Sequence, residues 1–359
     1  MMHTIRLIAC CSLWLGIGSA FAFEAEPLTP EQSTAAAADY QKYCALCHGT
    51  DRQGNVNDHA PSLRSRTLLH TGFPEFILFT IAYGRRGTPM GAYFEEVGGP
   101  MNNDELYRLT RWLKEQVGVE SIDLPSGRIS GDVRRGQQVY SENCATCHGP
   151  EGEGVTAPAV GNPAMLALAS DAFLRYTIEH GRDGTEMVGF GDSLTAADLD
   201  AVTAFLRSRE THWEQTRPVL RPPPTADEYV LNPAAPAPEF ELKDGLYIMA
   251  ADLDRALREQ RRMVVLDTRV PSMWQIANIE GSVPIPYYHD GIAGLAEALP
   301  ADGTWIMSYC ECPRAAAESV TRKLRKAGFQ NTAVLYEGIQ GWIALGYPVF
   351  VGQVTAQVD

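Results

Sequence analysis

The chain has 359 residues, of which 45% are hydrophobic and 21% charged, a composition that excludes a disordered or fibrous protein and suits two or three globular domains. Its 30 Lys and Arg residues against 44 Asp and Glu residues give a net charge of −14, which argues against nucleic acid as a partner and suits docking on a basic protein surface. Beyond the N-terminal segment there is no run of about 20 apolar residues, so we expect no membrane span in the mature chain.

The first 22 residues resemble a secretory signal. Arg6 supplies a positive charge, residues 7–18 are apolar, and Ala20-Phe21-Ala22 is a small-x-small cleavage site. We therefore expect residues 1–22 to direct export to the periplasm and to be cleaved, with an uncleaved anchor as the alternative.

The chain holds eight cysteines, two of them within the first 22 residues. Disulfide frameworks usually spread cysteines along a chain, whereas close pairs indicate cofactor attachment or redox chemistry. The remaining six form three close pairs: Cys44 and Cys47, Cys144 and Cys147, and Cys310 and Cys312.

Two sequence motifs occur twice in the same order. The segment CALCHG at 44–49 recurs as CATCHG at 144–149, and IAYGRRGTPM at 81–90 recurs as IEHGRDGTEM at 178–187. We infer two homologous units, residues 30–119 and 130–212.

Both units are predicted to be mainly helical. A helix carrying Tyr40 or Tyr140 leads into each cysteine motif, and a later helix begins near Asn102 or Thr195, residue types that cap helix N-termini. The later helices carry apolar residues at a spacing that marks one buried face. These residues are Leu106, Leu109, Trp112 and Leu113 in the first unit, and Leu199, Val202, Phe205 and Leu206 in the second.

The C-terminal third of the chain differs in pattern. Residues 213–242 form a proline-rich linker, predicted to be an extended tether, with a strap anchored by Tyr229, Val230 and Leu231 as the alternative. From 243 to 352, short apolar runs such as 264–266 and 305–307 alternate with helical segments. This alternation predicts an α/β domain with a parallel sheet.

A Cys-x-x-Cys-His motif in an exported protein indicates covalently attached haem c. One helical turn places both thiols where they can bond to the haem vinyl groups, with the histidine beneath the iron. A thioredoxin-like redox pair and half of a zinc site are the alternatives, but the first needs no histidine and the second needs further ligands. We therefore predict two haem c groups, attached at the two cysteine pairs and ligated by His48 and His148.

Met90 and Met187, at matching places in the second motif, are the predicted sixth ligands, since a thioether stabilises Fe(II). Met101 matches Leu194 and is predicted to be a packing residue. Four histidines without counterparts in the other unit are predicted to lie in the surface or linker: His59, His70, His180 and His212.

Four further residues are predicted around the haem groups. The carbonyls of Pro61 and Pro158 are expected to accept the second N–H of each ligating histidine. Arg85 and Arg182 suit the haem propionates, with a solvated loop arginine as the alternative.

With these motifs, residues 30–212 resemble two tandem class I cytochrome c domains. Gly136 and Tyr140 match that family's first helix, whereas the first unit has Ala36 in place of the glycine. The resemblance implies all-α domains that transfer electrons without acting on a bound substrate.

Residues 243–352 resemble a rhodanese domain through Asp267-Thr-Arg269, through Ser308-Tyr309-Cys310 at a strand end, and through Gly338-Ile-Gln-Gly341-Trp342. The resemblance implies Cys310 as a nucleophile that takes and passes on sulfane sulfur, with Arg314 holding an anionic donor. Glu311 and a loop one residue short depart from the family pattern. A redox or metal role for Cys310 and Cys312, and an inactive binding domain, therefore stay open.

The leading functional prediction is a periplasmic dihaem c-type cytochrome that carries electrons between redox partners, such as a dehydrogenase, a cytochrome or an oxidase. Its rhodanese-like domain would bind or transfer sulfur. The alternative is a sulfurtransferase or sulfur-compound-oxidising enzyme that acts at Cys310 and uses the haems as its electron outlet.

Overall fold

The computed structural model describes residues 27–54, 57, 59–72, 74–211, 216–289, 292–311 and 314–356. The predicted export signal, Cys312 and His212 lie outside these residues. Within the described ranges, no helix has the length and hydropathy needed to cross a membrane.

The first domain is helical, and its buried apolar residues belong to a cluster that continues into the second helical domain. Its helices are α1 Pro30–Tyr43, α2 Ala45–His48, α3 Arg66–Thr71, α4 Glu75–Tyr83 and α5 Asn103–Glu115. The predicted cap at Asn102 is confirmed, since its side chain accepts a hydrogen bond from the backbone N–H of Glu105.

The second domain repeats this order of helices. They are α6 Val133–Asn143, α7 Ala145–His148, α8 Pro163–Leu168, α9 Asp171–His180 and α10 Ala196–Ser208. Thr195 caps α10 as predicted, and the predicted apolar faces of α5 and α10 are buried.

The N- and C-terminal helices of each domain pack against each other, and the two domains do this differently. In the second domain, a Cβ added at Gly136 would lie only 2.0 Å from the carbonyl oxygen of Ala201 in α10, so glycine allows the close approach. In the first domain Ala36 is fully buried at this position. Tyr40 packs on Trp112, and Tyr140 on Phe205, which joins each helix pair through aromatic side chains.

The two helical domains also contact each other. The rings of Phe76 and Phe173 are 4.5 Å apart. The carboxylate of Asp183 accepts hydrogen bonds from the N–H groups of Arg66 and Thr67 at the start of α3. In return, Asn162 at the start of α8 donates to the carbonyl of Arg86, the residue that matches Asp183 in the repeat. The contact is therefore close to symmetric.

The third domain alternates strands and helices, as predicted. In chain order, its elements and the preceding strand are β1 Thr216–Pro218, β2 Tyr247–Ile248, α11 Ala250–Arg258, β3 Met263–Asp267, α12 Pro271–Ile276, β4 Ala277–Asn278, β5 Val283–Pro284, α13 Ile292–Ala298, β6 Trp305–Tyr309, α14 Ala315–Lys326, β7 Thr332–Leu335, α15 Gly338–Ala344, β8 Phe350–Val351 and β9 Val354–Ala356.

The main sheet has the strand order β2-β7-β6-β3-β5, and all its pairs are parallel. Strands β3 and β6 are adjacent, with Asp267 paired to Tyr309 at their carboxyl ends. Because loops that follow adjacent parallel strands meet at one edge of the sheet, Arg269 and Cys310 lie in the same region. The fold is thus two all-α domains followed by an α/β domain.

The proline-rich segment packs against the third domain. Strand β1 pairs with β9, the backbone of Leu231 bonds to Met263, and Tyr229 and Val230 pack on the core of the sheet. The predicted tether is therefore wrong, and the alternative, an ordered strap, is correct. Proline excludes helix but leaves an extended backbone free to pack.

Candidate functional site

The first cysteine motif forms a single tight turn. Cys44 ends α1 and begins α2, and Cys47 and His48 follow in that turn. Gly49 closes it with φ +83°, a conformation that side chains rarely adopt. The hydroxyl of Tyr40 donates to the Gly49 carbonyl at 2.6 Å, which ties the end of the turn back to α1.

The second motif has the same geometry. Gly149 has φ +85°, and Tyr140 donates to its carbonyl at 2.8 Å. Cys144 and Cys147 occupy the places of the first pair, and none of the four cysteines forms a disulfide. Two matching pairs of thiols are therefore available for attachment of a cofactor.

Both histidines are oriented by a backbone carbonyl, as predicted. The Nδ1–H of His48 donates to the carbonyl of Pro61 at 2.8 Å, and that of His148 to Pro158 at 2.8 Å. Burial lowers the pKa of both imidazoles, although the carbonyls act in the opposite direction. A neutral imidazole that donates through Nδ1 keeps its Nε2 lone pair for a metal.

The predicted methionine ligands lie in two equivalent loops. The N–H of Arg85 donates to the carbonyl of Met90 at 2.7 Å, and that of Arg182 donates to Met187 at 2.8 Å. Both methionine side chains are partly exposed. Met101 is only 1% exposed, which confirms the predicted packing role.

Three of the histidines predicted to lie in the surface or linker are described, and their surroundings differ from those of His48 and His148. His70 and His180 bond to the backbone carbonyls of Glu120 and Tyr176, and His59 is exposed.

Arg85 and Arg182 meet at the contact between the helical domains. Their guanidinium groups lie 5.3 Å from the ring of Phe76 and 5.0 Å from that of Phe173. Burial lowers the pKa of Arg85 to about 10 and that of Arg182 to about 9. Arg85 Nε and Arg182 Nη1 are buried without a hydrogen-bond partner among the described residues. Buried, unpaired cations fit an anionic group such as a haem propionate.

In the third domain, Cys310 follows β6 and is 4% exposed. Its thiol donates to the carbonyl of Glu311 at 3.2 Å and lies in a small apolar cluster with Ala317 and Val334. The first residues of α14 follow in the chain, so Cys310 lies near a helix N-terminus.

The Glu311 side chain is buried. Its carboxylate accepts hydrogen bonds from Arg269 at 2.9 Å and from Gln340 at 2.7 Å. Arg269 also pairs with Asp267 at 2.7 Å. Burial alone would lower the pKa of Arg269, but the two carboxylates raise it well above its usual value. One cation thus faces two anions beside Cys310.

Arg314 is held by aromatic side chains. Its guanidinium lies 4.9 Å from the ring of Tyr247 and 4.5 Å from that of Tyr336, and it donates to the Tyr336 carbonyl. Tyr247 also packs against the cluster that contains Cys310. Cys312, the other cysteine of this loop, lies outside the described residues.

One group of residues was not foreseen from the sequence. The hydroxyl of Tyr287 contacts the carbonyl of Tyr43, the residue before Cys44, and lies 3.0 Å from the hydroxyl of Tyr93. Helix α14 also lies against α2. The third domain therefore rests on the first cysteine turn, and only the pair of tyrosines after Pro286 hinted at such a contact.

Comparison with known families agrees with this architecture. The family described as "Cytochrome C oxidase, cbb3-type, subunit III" matches residues 31–113 and 131–206. The family described as "Rhodanese-like domain" matches residues 249–345.

Two curated relatives are cbb3-type cytochrome c oxidase subunits. The chain is 29% identical over 209 residues to CcoP of Rhodobacter capsulatus, covering 52% of this chain and 66% of that protein. It is 27% identical over 173 residues to FixP of Bradyrhizobium diazoefficiens, covering 46% and 57%. The alignments thus span less than two thirds of either relative.

Two solved structures are also similar. One is a Kuenenia stuttgartiensis reducing HAO-like protein complex, with 19% identity, a TM-score of 0.34, and coverage of 51% of this chain and 97% of that one. The other is a thiosulfate sulfurtransferase from Pseudomonas aeruginosa, with 26% identity, a TM-score of 0.28, and coverage of 32% and 22%. By its repeated motifs, helical pairs and family matches, the chain consists of two tandem cytochrome c domains followed by a rhodanese-like domain.

Proposed function

We propose that the protein is an exported dihaem c-type cytochrome that carries electrons between redox partners. Haem 1 would be attached through Cys44 and Cys47, with His48 and Met90 as axial ligands. Haem 2 would use the equivalent set: Cys144, Cys147, His148 and Met187. A haem c with both axial positions filled supplies reversible one-electron transfer by its iron.

The observation that carries this proposal is the repeated histidine geometry. In both domains Nδ1 donates to a proline carbonyl at 2.8 Å, so each imidazole keeps its Nε2 lone pair for a metal, in the same turn as its pair of thiols. A zinc site or a thiol redox pair would not need this orientation twice.

The contact between the domains supports electron transfer from one haem to the other. Arg85 lies close enough to Arg182 for its charge to lower the pKa of the Arg182 guanidinium. If each arginine binds the propionates of its own haem, the two haems approach each other at this contact. The buried rings of Phe76 and Phe173 pack against each other at the same contact.

Location and partners belong to the same proposal. The signal-like residues 1–22 favour the periplasm, and the net charge of −14 favours a basic partner surface. Relatives named as oxidase subunits favour a partner in respiration. The domains assigned are 30–119 and 130–212 for the cytochromes, 213–242 for the strap and 243–352 for the rhodanese-like domain.

A redox titration of the purified protein, produced with haem attachment, tests the proposal. We expect c-type absorption bands that change with two electrons per chain. His148→Ala and its matched variant His48→Ala should each remove one of the two electrons that the chain takes up in this titration. A protein without c-type bands, or one whose bands do not respond to reductant, would contradict the proposal.

A hydrogen-bonded route between Cys310 and Cys44 favours a second candidate, oxidation of a sulfur compound. The carbonyl of Tyr309 accepts from the N–H of Thr268 at 2.9 Å, and the carbonyl of Thr268 accepts from the N–H of Tyr287 at 3.0 Å. Tyr287 then bonds to the carbonyl of Tyr43, next to Cys44. Three hydrogen bonds thus connect the two cysteines.

In this candidate the Cys310 thiolate combines with hydrosulfide. A sulfur–sulfur bond forms, the S–H bond breaks, one proton leaves to water, and the persulfide remains on Cys310. The two electrons released reduce the two ferric haems, one each. Thiosulfate is a poorer substrate because Asp267 and Glu311 place two negative charges against the single Arg269 beside the cysteine.

Anaerobic mixing of the oxidised protein with hydrosulfide tests this candidate. We expect haem reduction together with one persulfide per chain by mass spectrometry. Cys310→Ser should slow haem reduction at least tenfold and leave reduction by ascorbate unchanged. If Cys310→Ser reduces its haems as fast as the wild type, the haems are not an outlet for Cys310.

A further inference from the structure

The two cysteine turns differ in exposure although their backbones match. Ala45 is buried and Leu46 and Cys47 are partly buried in the first turn, whereas Thr146 and Cys147 are exposed in the second. The difference comes from the rhodanese-like domain, since α14 lies against α2 and no equivalent element among the described residues covers α7.

Tyrosine side chains form the contact at the first turn. Tyr93 donates to the Tyr43 carbonyl at 3.1 Å, and the rings of Tyr43 and Tyr288 are 4.8 Å apart. The hydroxyl of Tyr287 contacts the carbonyl of Tyr43, the residue before Cys44, and lies 3.0 Å from the hydroxyl of Tyr93. Tyr287 thus lies at the thiols that would carry haem 1.

The loop that carries Met90 is held by the same domain. Ser272 donates to the carbonyl of Ala92 at 2.7 Å, in a buried position. A Cβ added at Gly91 would lie 2.9 Å from the sulfur of Met273 and 3.2 Å from the Cβ of Val270. The matching residue of the second domain is Val188, which is 63% exposed. The first loop is therefore packed against the rhodanese-like domain, and the second is open.

We propose that the rhodanese-like domain is a built-in cap for haem 1. It holds the Met90 loop closed and covers the cysteine edge where a redox protein would dock, so that external proteins exchange electrons at haem 2. This inference rests on the proposed haem ligation.

The open edge of haem 2 has the character of a docking surface for a basic redox protein. Val155 is 50% exposed and Val188 63%, and both lie in loops that adjoin Cys147 or Met187. Exposed acids, Glu153 and Glu186, lie two residues from them in the chain. An apolar centre with acidic neighbours matches a partner whose haem edge is surrounded by lysines.

Imidazole titration of the fully oxidised, full-length protein tests the cap. Imidazole binds ferric iron only after methionine leaves, which abolishes the methionine–iron charge-transfer band. We expect two phases of equal amplitude. The midpoint of the haem 1 phase should lie at an imidazole concentration at least ten times higher than that of the haem 2 phase. Gly91→Val, which copies the second domain, should shift that weaker phase at least fivefold towards the tighter one. Val188→Gly, the matched control, should leave the weaker phase in place.

Ser272→Ala provides a milder variant should Gly91→Val fold poorly, and we expect a smaller shift in the same direction. A single phase in the wild type, or a weaker phase that moves in neither variant, would overturn the cap. Absence of the charge-transfer band from the untreated protein would instead refute methionine ligation, so the two failures are distinguishable.

Electron exchange tests the other half of the inference. The reduced protein is mixed with a small basic cytochrome c as oxidant, and the second-order rate constant is measured. Val188→Arg should lower it at least fivefold. Leu345→Arg, which adds the same charge at an exposed position of the rhodanese-like domain, should change it less than twofold. Equal effects of the two variants would show that haem 2 is not the point of exchange.

Discussion

The two cytochrome domains hold the same chemistry in different surroundings. Their cysteine turns, proline carbonyls and methionine loops form matching hydrogen bonds, as the equal distances from His48 and His148 to their carbonyl partners illustrate. The surroundings of the two copies differ. Gly91 lies against Met273 and Val270 of the rhodanese-like domain and Leu46 is partly buried, whereas their counterparts Val188 and Thr146 are exposed. The two copies therefore share the local geometry of the cysteine turn, and the third domain makes their surroundings unequal.

The largest expected effect comes from removing one of the proposed methionine ligands. Met90→Ala and Met187→Ala should each lower the reduction potential of one haem by a few tenths of a volt, within the range of roughly 0.8 V that axial ligands span. The two variants should differ in their rates of carbon monoxide binding, because only Met187→Ala should leave an iron that carbon monoxide reaches rapidly. Potentiometric titration and carbon monoxide binding measure both quantities. Equal rates of carbon monoxide binding would remove the distinction between the domains.

The next effect concerns the helix crossing. Gly136→Ala should destabilise the second domain by about 1–3 kcal/mol or more, because its new methyl group meets the backbone of α10. Ala36→Gly in the first domain should cost only about 1 kcal/mol, the loss of helix propensity. Denaturant unfolding of the haem-loaded variants measures the free energies. An equal cost for both changes would mean that the two crossings are equivalent.

The smallest effect concerns the contact between the cytochrome domains. Burial opposes the charge of Asp183, but the N–H groups of Thr67 and Arg66 and nearby hydroxyl groups lower its pKa to about 2. Because the pKa of the folded state lies below the ordinary value, this stabilisation is complete above about pH 4 and declines as the pH falls towards 2. Asp183→Ala should therefore cost about 1 kcal/mol near neutral pH and less in acid.

Urea unfolding of both proteins across this pH range measures that difference. Asp183→Asn, which keeps one acceptor oxygen, is the matched control. Its free energy of unfolding should lie between those of the wild type and Asp183→Ala. If the loss of unfolding free energy in Asp183→Ala does not decline in acid, the charge of the carboxylate does not stabilise the start of α3.

Local sequence signals predicted most of the fold and much of the hydrogen bonding around the two cysteine turns. Asn102 and Thr195 mark helix starts because a cap acts on residues within one turn, and Pro61 and Pro158 were identified because each follows an alanine in the segment after its histidine. The parallel pair β3 and β6 followed from two short apolar runs. Each of these signals involves residues close in sequence or repeated in it.

Contacts between domains could not be predicted in this way. Tyr287 contacts Tyr43, which lies 244 residues earlier in the chain, and no pattern in either segment indicates that contact. The buried pairing of Glu311 with Arg269 likewise depends on two loops that meet only once the sheet has formed. The proline-rich strap shows the same point, since its composition excludes helix but does not reveal the surface on which it packs.

The most direct test of the account is the mass of the intact chain, produced with haem attachment and measured under denaturing conditions that release non-covalent ligands. The account predicts a chain carrying two haem groups, with one on each proteolytic fragment that contains residues 44–48 or 144–148. A chain without haem, or with haem on only one of these fragments, would contradict it.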